Sequence, residues 1–299
     1  MGTWFTGVWP AMVTPMDADG GVCLSSLAPL VEKFVAEGAG GIYLLGSTGQ
    51  GPIQTVDERR AVAAETVRAA AGRIPVMVHV GAIRVEDSVE LAAQAAEVGA
   101  DAVSSVVPMY YPPTLAGAME HYRRIAGASD LPFYAYNFTI PNCTVEAYAE
   151  ALLSIPNCVG LKFTNRDAFE LALLKVASDG RLNVLSGADE CFLAAAAQGA
   201  DGCIGSTQNV AVPEFRLVIE AAEAGRYLAA RDGMIQIARL VRDLTIRRGL
   251  SGLHHVLSEE GIPCGQPRHP ILRQDASGLD AAMVAYHECK AAIHSAVAG

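Results

Sequence analysis

Apolar runs of four to eight residues alternate with amphipathic runs of nine to sixteen, eight times in succession, and this constrains the fold more than any other feature. The apolar runs are Gly7–Thr14, Gly40–Gly46, Pro75–Val80, Asp101–Val107, Leu131–Tyr136, Cys158–Phe163, Leu182–Ser186 and Gly202–Gly205. Each has the length and composition of a short buried strand. The helical patterns that follow them are Leu24–Glu37, Val56–Ala71, Val85–Val98, Leu115–Ala126, Val145–Leu153, Ala168–Ala177, Glu190–Gln198 and Pro213–Ala222. Strand starts recur every ~20–35 residues, the length of one strand–helix unit with its crossover. Gly99 and Gly199 sit where two of these helices must stop before the next strand, the left-handed position that glycine fills. Eight such units predict an α/β fold, a (β/α)8 TIM barrel over residues 1–224. Three further helical stretches, Tyr227–Arg248, Leu250–Glu260 and Leu279–Val297, form a C-terminal helical extension over 225–299. It is expected to pack on the barrel or to build an oligomer contact.

Composition narrows the partners. The net charge of −10 argues against nucleic acid. No apolar stretch approaches a membrane span, and the opening MGTWFTGVWPAMVTP has neither the basic region nor the apolar core of a signal peptide. Seven scattered cysteines form no C-x-x-C pair and no zinc spacing, which suits reduced thiols. A soluble cytoplasmic protein without a bound metal is expected.

In a barrel of this type the functional groups gather at the carboxyl ends of the strands. Those ends read Thr14-Pro15, Gly46-Ser47-Thr48-Gly49, His79-Val80-Gly81, Pro108-Met109-Tyr110-Tyr111, Tyr136-Asn137, Lys162, Gly187-Ala188-Asp189-Glu190 and Gly205-Ser206-Thr207. Hydroxyls dominate and metal ligands are few, a set suited to covalent carbonyl chemistry. Lys162 stands out. The chain has 22 basic side chains and only four are lysines; Lys33, Lys175 and Lys290 lie in helical patterns as solvated-face residues, whereas Lys162 lies within an apolar strand. A buried ammonium is costly unless paired, and a buried neutral amine is a nucleophile toward carbonyls. Lys162 is therefore either half of a structural ion pair or a covalent catalyst. Tyr136 ends the preceding strand, as its neighbour or as a core tyrosine. Gly46-Ser47-Thr48-Gly49 offers N–H groups and two hydroxyls to a small carboxylate, or is simply a turn. His79 reads as a hydrogen-bonded wall residue, and Asp189 and Glu190 as carboxylates that also suit a helix N-terminus. His254-His255 and His287-Glu288-Cys289 read as structural.

Taken in order, Gly46-Ser47-Thr48-Gly49, Tyr110-Tyr111-Pro112, Tyr136-Asn137, Gly160-Leu161-Lys162-Phe163-Thr164 and Gly205-Ser206-Thr207 carry a family resemblance. Together with Gly261-Ile262-Pro263 and Pro267-Arg268, the set resembles the N-acetylneuraminate lyase/dihydrodipicolinate synthase family of Schiff-base aldolases over nearly the whole chain. The resemblance implies that Lys162 forms an imine with the C2 carbonyl of a 2-oxo acid, with no metal or organic cofactor. It implies that Ser47 and Thr48 hold the carboxylate and that Tyr136 moves the proton, with Thr48 and a neighbouring subunit's Tyr110 in the relay. It also implies a homotetramer built as a pair of dimers.

Within that family, Thr164, Gly187, Asp189, Glu190, Gly205 and Ser206 resemble the sugar-binding positions of the sialic-acid lyases. Phe138-Thr139-Ile140-Pro141 lacks the arginine that dihydrodipicolinate synthases carry after the tyrosine. Gln50 replaces the usual glutamate of sialate lyases, and Gly51-Pro52 resembles aldolases of 2-keto-3-deoxy sugar acids. The expected activity is cleavage or formation of N-acetylneuraminate from pyruvate and N-acetylmannosamine. The alternatives are a gluconate-type 2-keto-3-deoxy sugar acid aldolase, another pyruvate-dependent lyase or dehydratase, or a non-catalytic 2-oxo acid sensor.

Overall fold

The computed structural model describes residues 5–108, 110–137 and 143–298. Its strands are β1 (Gly7–Pro10), β2 (Ile42–Leu44), β3 (Val76–His79), β4 (Ala102–Val106), β5 (Phe133–Asn137), β6 (Cys158–Phe163), β7 (Asn183–Ser186) and β8 (Gly202–Gly205). All pair in parallel, in the order β1-β8-β7-β6-β5-β4-β3-β2. A parallel bridge between Ala11 and Tyr43 brings β1 back to β2, with the Met12 N–H on the Tyr43 carbonyl at 2.9 Å. The sheet thereby closes into a (β/α)8 barrel. Between the strands run α1 (Leu27–Ala36), α2 (Val56–Ala70), α3 (Val85–Glu97), α4 (Leu115–Ala126), α5 (Val145–Leu153), α6 (Ala168–Ala177), α7 (Phe192–Ala197) and α8 (Val212–Glu223).

Local chemistry explains where these elements start and stop. Thr55, Thr114, Thr144 and Asp167 each accept a backbone N–H at a helix start, and Thr55 forms a reciprocal capping box with Glu58. Gly99 and Gly199 take the expected left-handed conformation, with φ of 84° and 96°. Two patterns read as continuous do not remain so. The run from Gly7 stays apolar to Thr14, but the continuous strand stops at Pro10; at and beyond the Ala11 bridge the Asn209 side chain takes the Ala11 carbonyl (2.7 Å) and the Val13 N–H (3.0 Å). The pattern Tyr227–Arg248 is α-helical only to Val241 and then widens into a π-helical turn, Arg242–Ile246.

The C-terminal helices are α9 (Tyr227–Val241), α10 (Gly249–Glu259) and α11 (Ala276–Ala298). α11 lies against α8 and α9, where Lys290 and His294 reach the buried Glu214 carboxylate at 3.2 and 3.1 Å. Between α10 and α11 the chain returns to the mouth of the barrel, and Arg268 clasps Glu58 with two hydrogen bonds of 2.7 and 2.9 Å. That clasp holds the Glu58 carboxyl down at about 2 against an ordinary 4.5. A depressed carboxylate stabilises the fold fully above its unfolded value and loses that contribution as pH falls through its folded value. The Arg268–Glu58 pair is therefore expected to act above pH 4.5 and to be lost toward about pH 2. Arg268→Met should cost about 2 kcal/mol near neutral pH, discounted for partial exposure, and less in strong acid, where only its bonds to the Gly20 and Ile53 carbonyls are still lost, as paired denaturation curves would show. Among the described residues no helix is long and apolar enough to cross a membrane.

Candidate active site

Residues paired across parallel strands point to the same side of the sheet, and Tyr136 on β5 pairs with Lys162 on β6. Both face the barrel interior, 5% and 6% exposed. The Lys162 Nζ lies 4.3 Å from the ring centroid of Tyr43 and 4.5 Å from that of Tyr136, so two aromatic faces bracket the amine. The other three lysines, expected on solvated faces, are part-buried and ion-paired: Lys33 with Glu37 and Glu260, Lys175 with Asp201, Lys290 with Glu214. Among the described residues no carboxylate pairs with Lys162.

Tyr136 is hydrogen-bonded by Thr164, Ser47 and Lys162. Burial pushes its phenol up, but the Lys162 charge and these bonds outweigh burial and bring it below the ordinary tyrosine range. Tyr43 behaves oppositely, since burial drives its hydroxyl well above the ordinary value, and that hydroxyl lies 3.2 Å from Ser104 Oγ. Tyr43 thus supplies a neutral wall.

The turn Gly46-Ser47-Thr48-Gly49 leaves β2 over this pair. The Gly49 carbonyl accepts from Thr14 Oγ1 (2.6 Å) and Gln54 Nε2 (2.7 Å), fixing the turn from beneath. Thr48 is buried and donates to Ser206 Oγ at 3.2 Å, whereas Ser47 is exposed.

His79 is a wall residue, as the sequence suggested. Its Nδ1 donates to the Leu45 carbonyl at 3.2 Å and its Nε2 accepts the Val106 N–H at 3.2 Å. Burial first, then the charges of Arg59 and Lys162, push it down to about 3, so it is neutral and committed at both nitrogens. Behind it the buried Arg59 donates to the carbonyls of His79 (2.8 Å) and Gly81 (3.0 Å).

A cavity of about 340 Å³ opens at the ends of β6 and β7, lined by Thr164, Asn165, Arg166, Gly187, Ala188 and Glu190. Gly187 is there because a Cβ would lie 2.0 Å from Thr164 Oγ1 and 3.1 Å from Lys162 Cε. Glu190 reaches over this space to Arg166 Nε at 2.6 Å. Asp189, in contrast, is buried in the β8 loop, where its carboxylate accepts the Thr207 N–H (2.7 Å) and Gln208 Nε2 (3.0 Å). A Cβ on Gly205 would stand 1.6 Å from Asp189 Oδ1. Burial raises Asp189 to about 6 in spite of those bonds. Tyr110 and Tyr111 are 74% and 77% exposed and stack edge-to-face at 4.9 Å, facing solvent rather than Lys162. Met109 and the segment Phe138-Thr139-Ile140-Pro141 lie outside the described residues. Among the described residues no three His, Cys, Asp or Glu side chains gather as metal ligands.

Two contributors escaped the sequence reading. Tyr43 is one residue within an apolar run, and only closure of β2 onto β1 turns it toward Lys162; Arg59 looked like one more polar residue of α2. Ile42, Tyr43 and Leu44 are all buried, so the run carries no alternation that would single out Tyr43.

The model of the dihydrodipicolinate synthetase family matches residues 4–288. The chain belongs to that family. An N-acetylneuraminate lyase of Rhizobium meliloti is 34% identical over 277 residues, 92% of each chain. A 4-hydroxy-tetrahydrodipicolinate synthase of Ruegeria pomeroyi is 33% identical over 93% of this chain and 98% of that one. Among solved structures, Proteus mirabilis N-acetylneuraminate lyase superposes with a TM-score of 0.91 at 29% identity, covering 96% of this chain and 99% of that one. As a member of the dihydrodipicolinate synthetase family, the protein is an enzyme, a class I aldolase of the carbon–carbon lyase type.

Proposed function

We propose that this family member cleaves or forms the C3–C4 bond of a 2-oxo sugar acid through an imine on Lys162, with pyruvate as one product. N-acetylneuraminate is the substrate we favour, giving N-acetylmannosamine. The carrying observation is the buried Lys162 amine held between the Tyr43 and Tyr136 rings, with no carboxylate partner among the described residues, beside a tyrosine whose phenol is lowered.

The steps follow from that geometry. Lys162 Nζ adds to the C2 carbonyl and water leaves, giving a protonated imine. Ser47 and Thr48 hold the carboxylate at the turn over β2. Tyr136 takes the C4 hydroxyl proton, the C3–C4 bond breaks, and its electron pair moves into an enamine as the aldehyde forms. The proton returns to C3, and water releases pyruvate and frees Lys162. The imine itself is the electron sink, so the scheme uses no metal or organic cofactor.

Thr164, Gly187 and Glu190 line the cavity that would receive the rest of the sugar, while Ser206 accepts from Thr48 on the opposite side and Gly205 leaves room for Asp189. In this scheme Asp189 positions that loop rather than touching substrate, because both its oxygens are engaged. Replacing Glu190 by alanine is expected to weaken cleavage of a nine-carbon substrate at least about tenfold while leaving pyruvate trapping within about twofold. Equal losses in both would remove Glu190 from tail binding. A gluconate-type 2-keto-3-deoxy acid is the second reading, favoured by Arg166 lying across Glu190 in the cavity. Comparing pyruvate release from the two substrates decides between them, and turnover of either ends the sensor alternative.

The exposed Tyr110-Tyr111 pair and the exposed Phe169 and Val176, seven apart on α6, suit two separate contacts of a dimer of dimers, with Tyr110 entering a neighbour's relay. Residues 225–299 would support the catalytic barrel of 1–224. The seven free cysteines fit a cytoplasmic setting.

A further inference from the structure

Gln50 follows the Ser47–Thr48 turn directly and is 1% exposed. Its backbone is left-handed, with φ of 59°, and its N–H bonds the Ser47 carbonyl at 3.1 Å, so it closes the turn that presents the two hydroxyls. Its side chain points to the C-terminal tail. Oε1 accepts the backbone N–H of Arg268 at 2.7 Å, and because that group only donates, the amide orientation is fixed. Nε2 then faces Nε2 of the fully buried His254, 3.5 Å away. The other ring nitrogen, Nδ1, lies 2.9 Å from the Cys264 carbonyl, which only accepts. Nδ1 therefore carries the proton and Nε2 offers its lone pair to the Gln50 amide.

The same tail segment is tied to the mouth at other points. The Cys264 carbonyl also takes the Met16 N–H at 2.9 Å, and a Cβ on Gly265 would stand 2.2 Å from the Met16 carbonyl oxygen. Arg268 adds bonds to the Gly20 (2.9 Å) and Ile53 (3.2 Å) carbonyls besides its clasp on Glu58.

We propose that the tail segment Ile262–Arg268 is a strap that positions the Ser47–Thr48 cradle through Gln50, and that the amide at position 50 makes this hold independent of pH. The proposal rests on the reading of that turn as the carboxylate site. A neutral amide matches both of its neutral partners with no proton taken up. Burial pushes His254 down to about 4, so it stays uncharged across the neutral range. A carboxylate at position 50 would satisfy the Arg268 N–H but set its second oxygen against the imidazole lone pair. The joint would then hold only while a shared proton bridges them. The other charged or titratable groups facing it are the paired Arg268 and Glu58, Asp17 beside Arg268, the Cys264 thiol, which burial pushes up to about 12, and the Cys23 thiol facing it.

The test is the pyruvate concentration that half-saturates borohydride trapping on Lys162, compared between variant and unaltered enzyme at about pH 6 and about pH 9. For Gln50→Glu the ratio is expected near unity at the lower pH and about tenfold at the higher, with cleavage kcat within about twofold at saturation. Combining Gln50→Glu with His254→Asn, which sets an amide donor against the carboxylate, should flatten the ratio again. Gln50→Met, which loses both bonds at every pH, should raise half-saturation by one factor throughout, and it keeps the test open if Gln50→Glu does not fold. A ratio for Gln50→Glu that is equal at the two pH values, or no change in half-saturation for Gln50→Met, overturns the strap. Absence of trapping in the unaltered enzyme instead rejects the aldolase reading beneath it.

Discussion

Lys162→Ala is expected to abolish borohydride-trapped pyruvate and to reduce cleavage by a factor on the order of 10⁴ or more, because the covalent intermediate no longer exists. The fold should survive. Lys162 makes no ion pair with any described residue, and its removal leaves a small void bounded by Tyr43 and Tyr136 rather than an unpaired charge. Peptide mass mapping after reduction should place the adduct of the unaltered protein on Lys162 and on none of Lys33, Lys175 or Lys290, whose amines are held by carboxylates. An adduct that persists in Lys162→Ala would refute the mechanism.

Tyr136→Phe should separate imine formation from bond cleavage. The ring that packs against Lys162 is kept, so pyruvate trapping should continue. The phenolic oxygen that takes the C4 hydroxyl proton is lost, and kcat should fall by about 10² to 10⁴. Because the Tyr136 phenol is lowered, the unaltered enzyme should gain cleavage rate as pH rises and the phenolate forms. Tyr136→Phe should lose that dependence, and a pH series of kcat for both proteins checks the sign. Equal loss of trapping and cleavage would make Tyr136 a packing residue only.

The barrel was legible because its signal is long and repetitive. Cys158–Phe163 and Gly202–Gly205 have the same limits in sequence and structure, as do the helices at 115–126, 145–153 and 168–177. Apolar periodicity and capping side chains are local properties, and they mark these elements in the sequence itself. Lys162 and Tyr136 were legible for a related reason, since each lies at the carboxyl end of a strand that the pattern had already placed. What local pattern could not supply was partnership. Nothing in the run Gly40–Gly46 shows that Tyr43 turns its ring to Lys162. Asp189 and Glu190 are adjacent in sequence, yet one anchors the β8 loop from within and the other meets Arg166 over an open cavity.

The chain's own sequence thus determined the eight strand–helix units, the strand that carries the lysine and the turn that carries Ser47 and Thr48. These follow from spacing and from intrinsic preferences of short segments. Only the tertiary structure decided that Lys162 meets two aromatic rings and, among the described residues, no carboxylate, while the other lysines are paired, and that a tail residue some 218 positions away holds Gln50. Those outcomes depend on which groups are brought within about 4 Å by barrel closure and by the return of the tail, where burial makes each unpaired polar group costly.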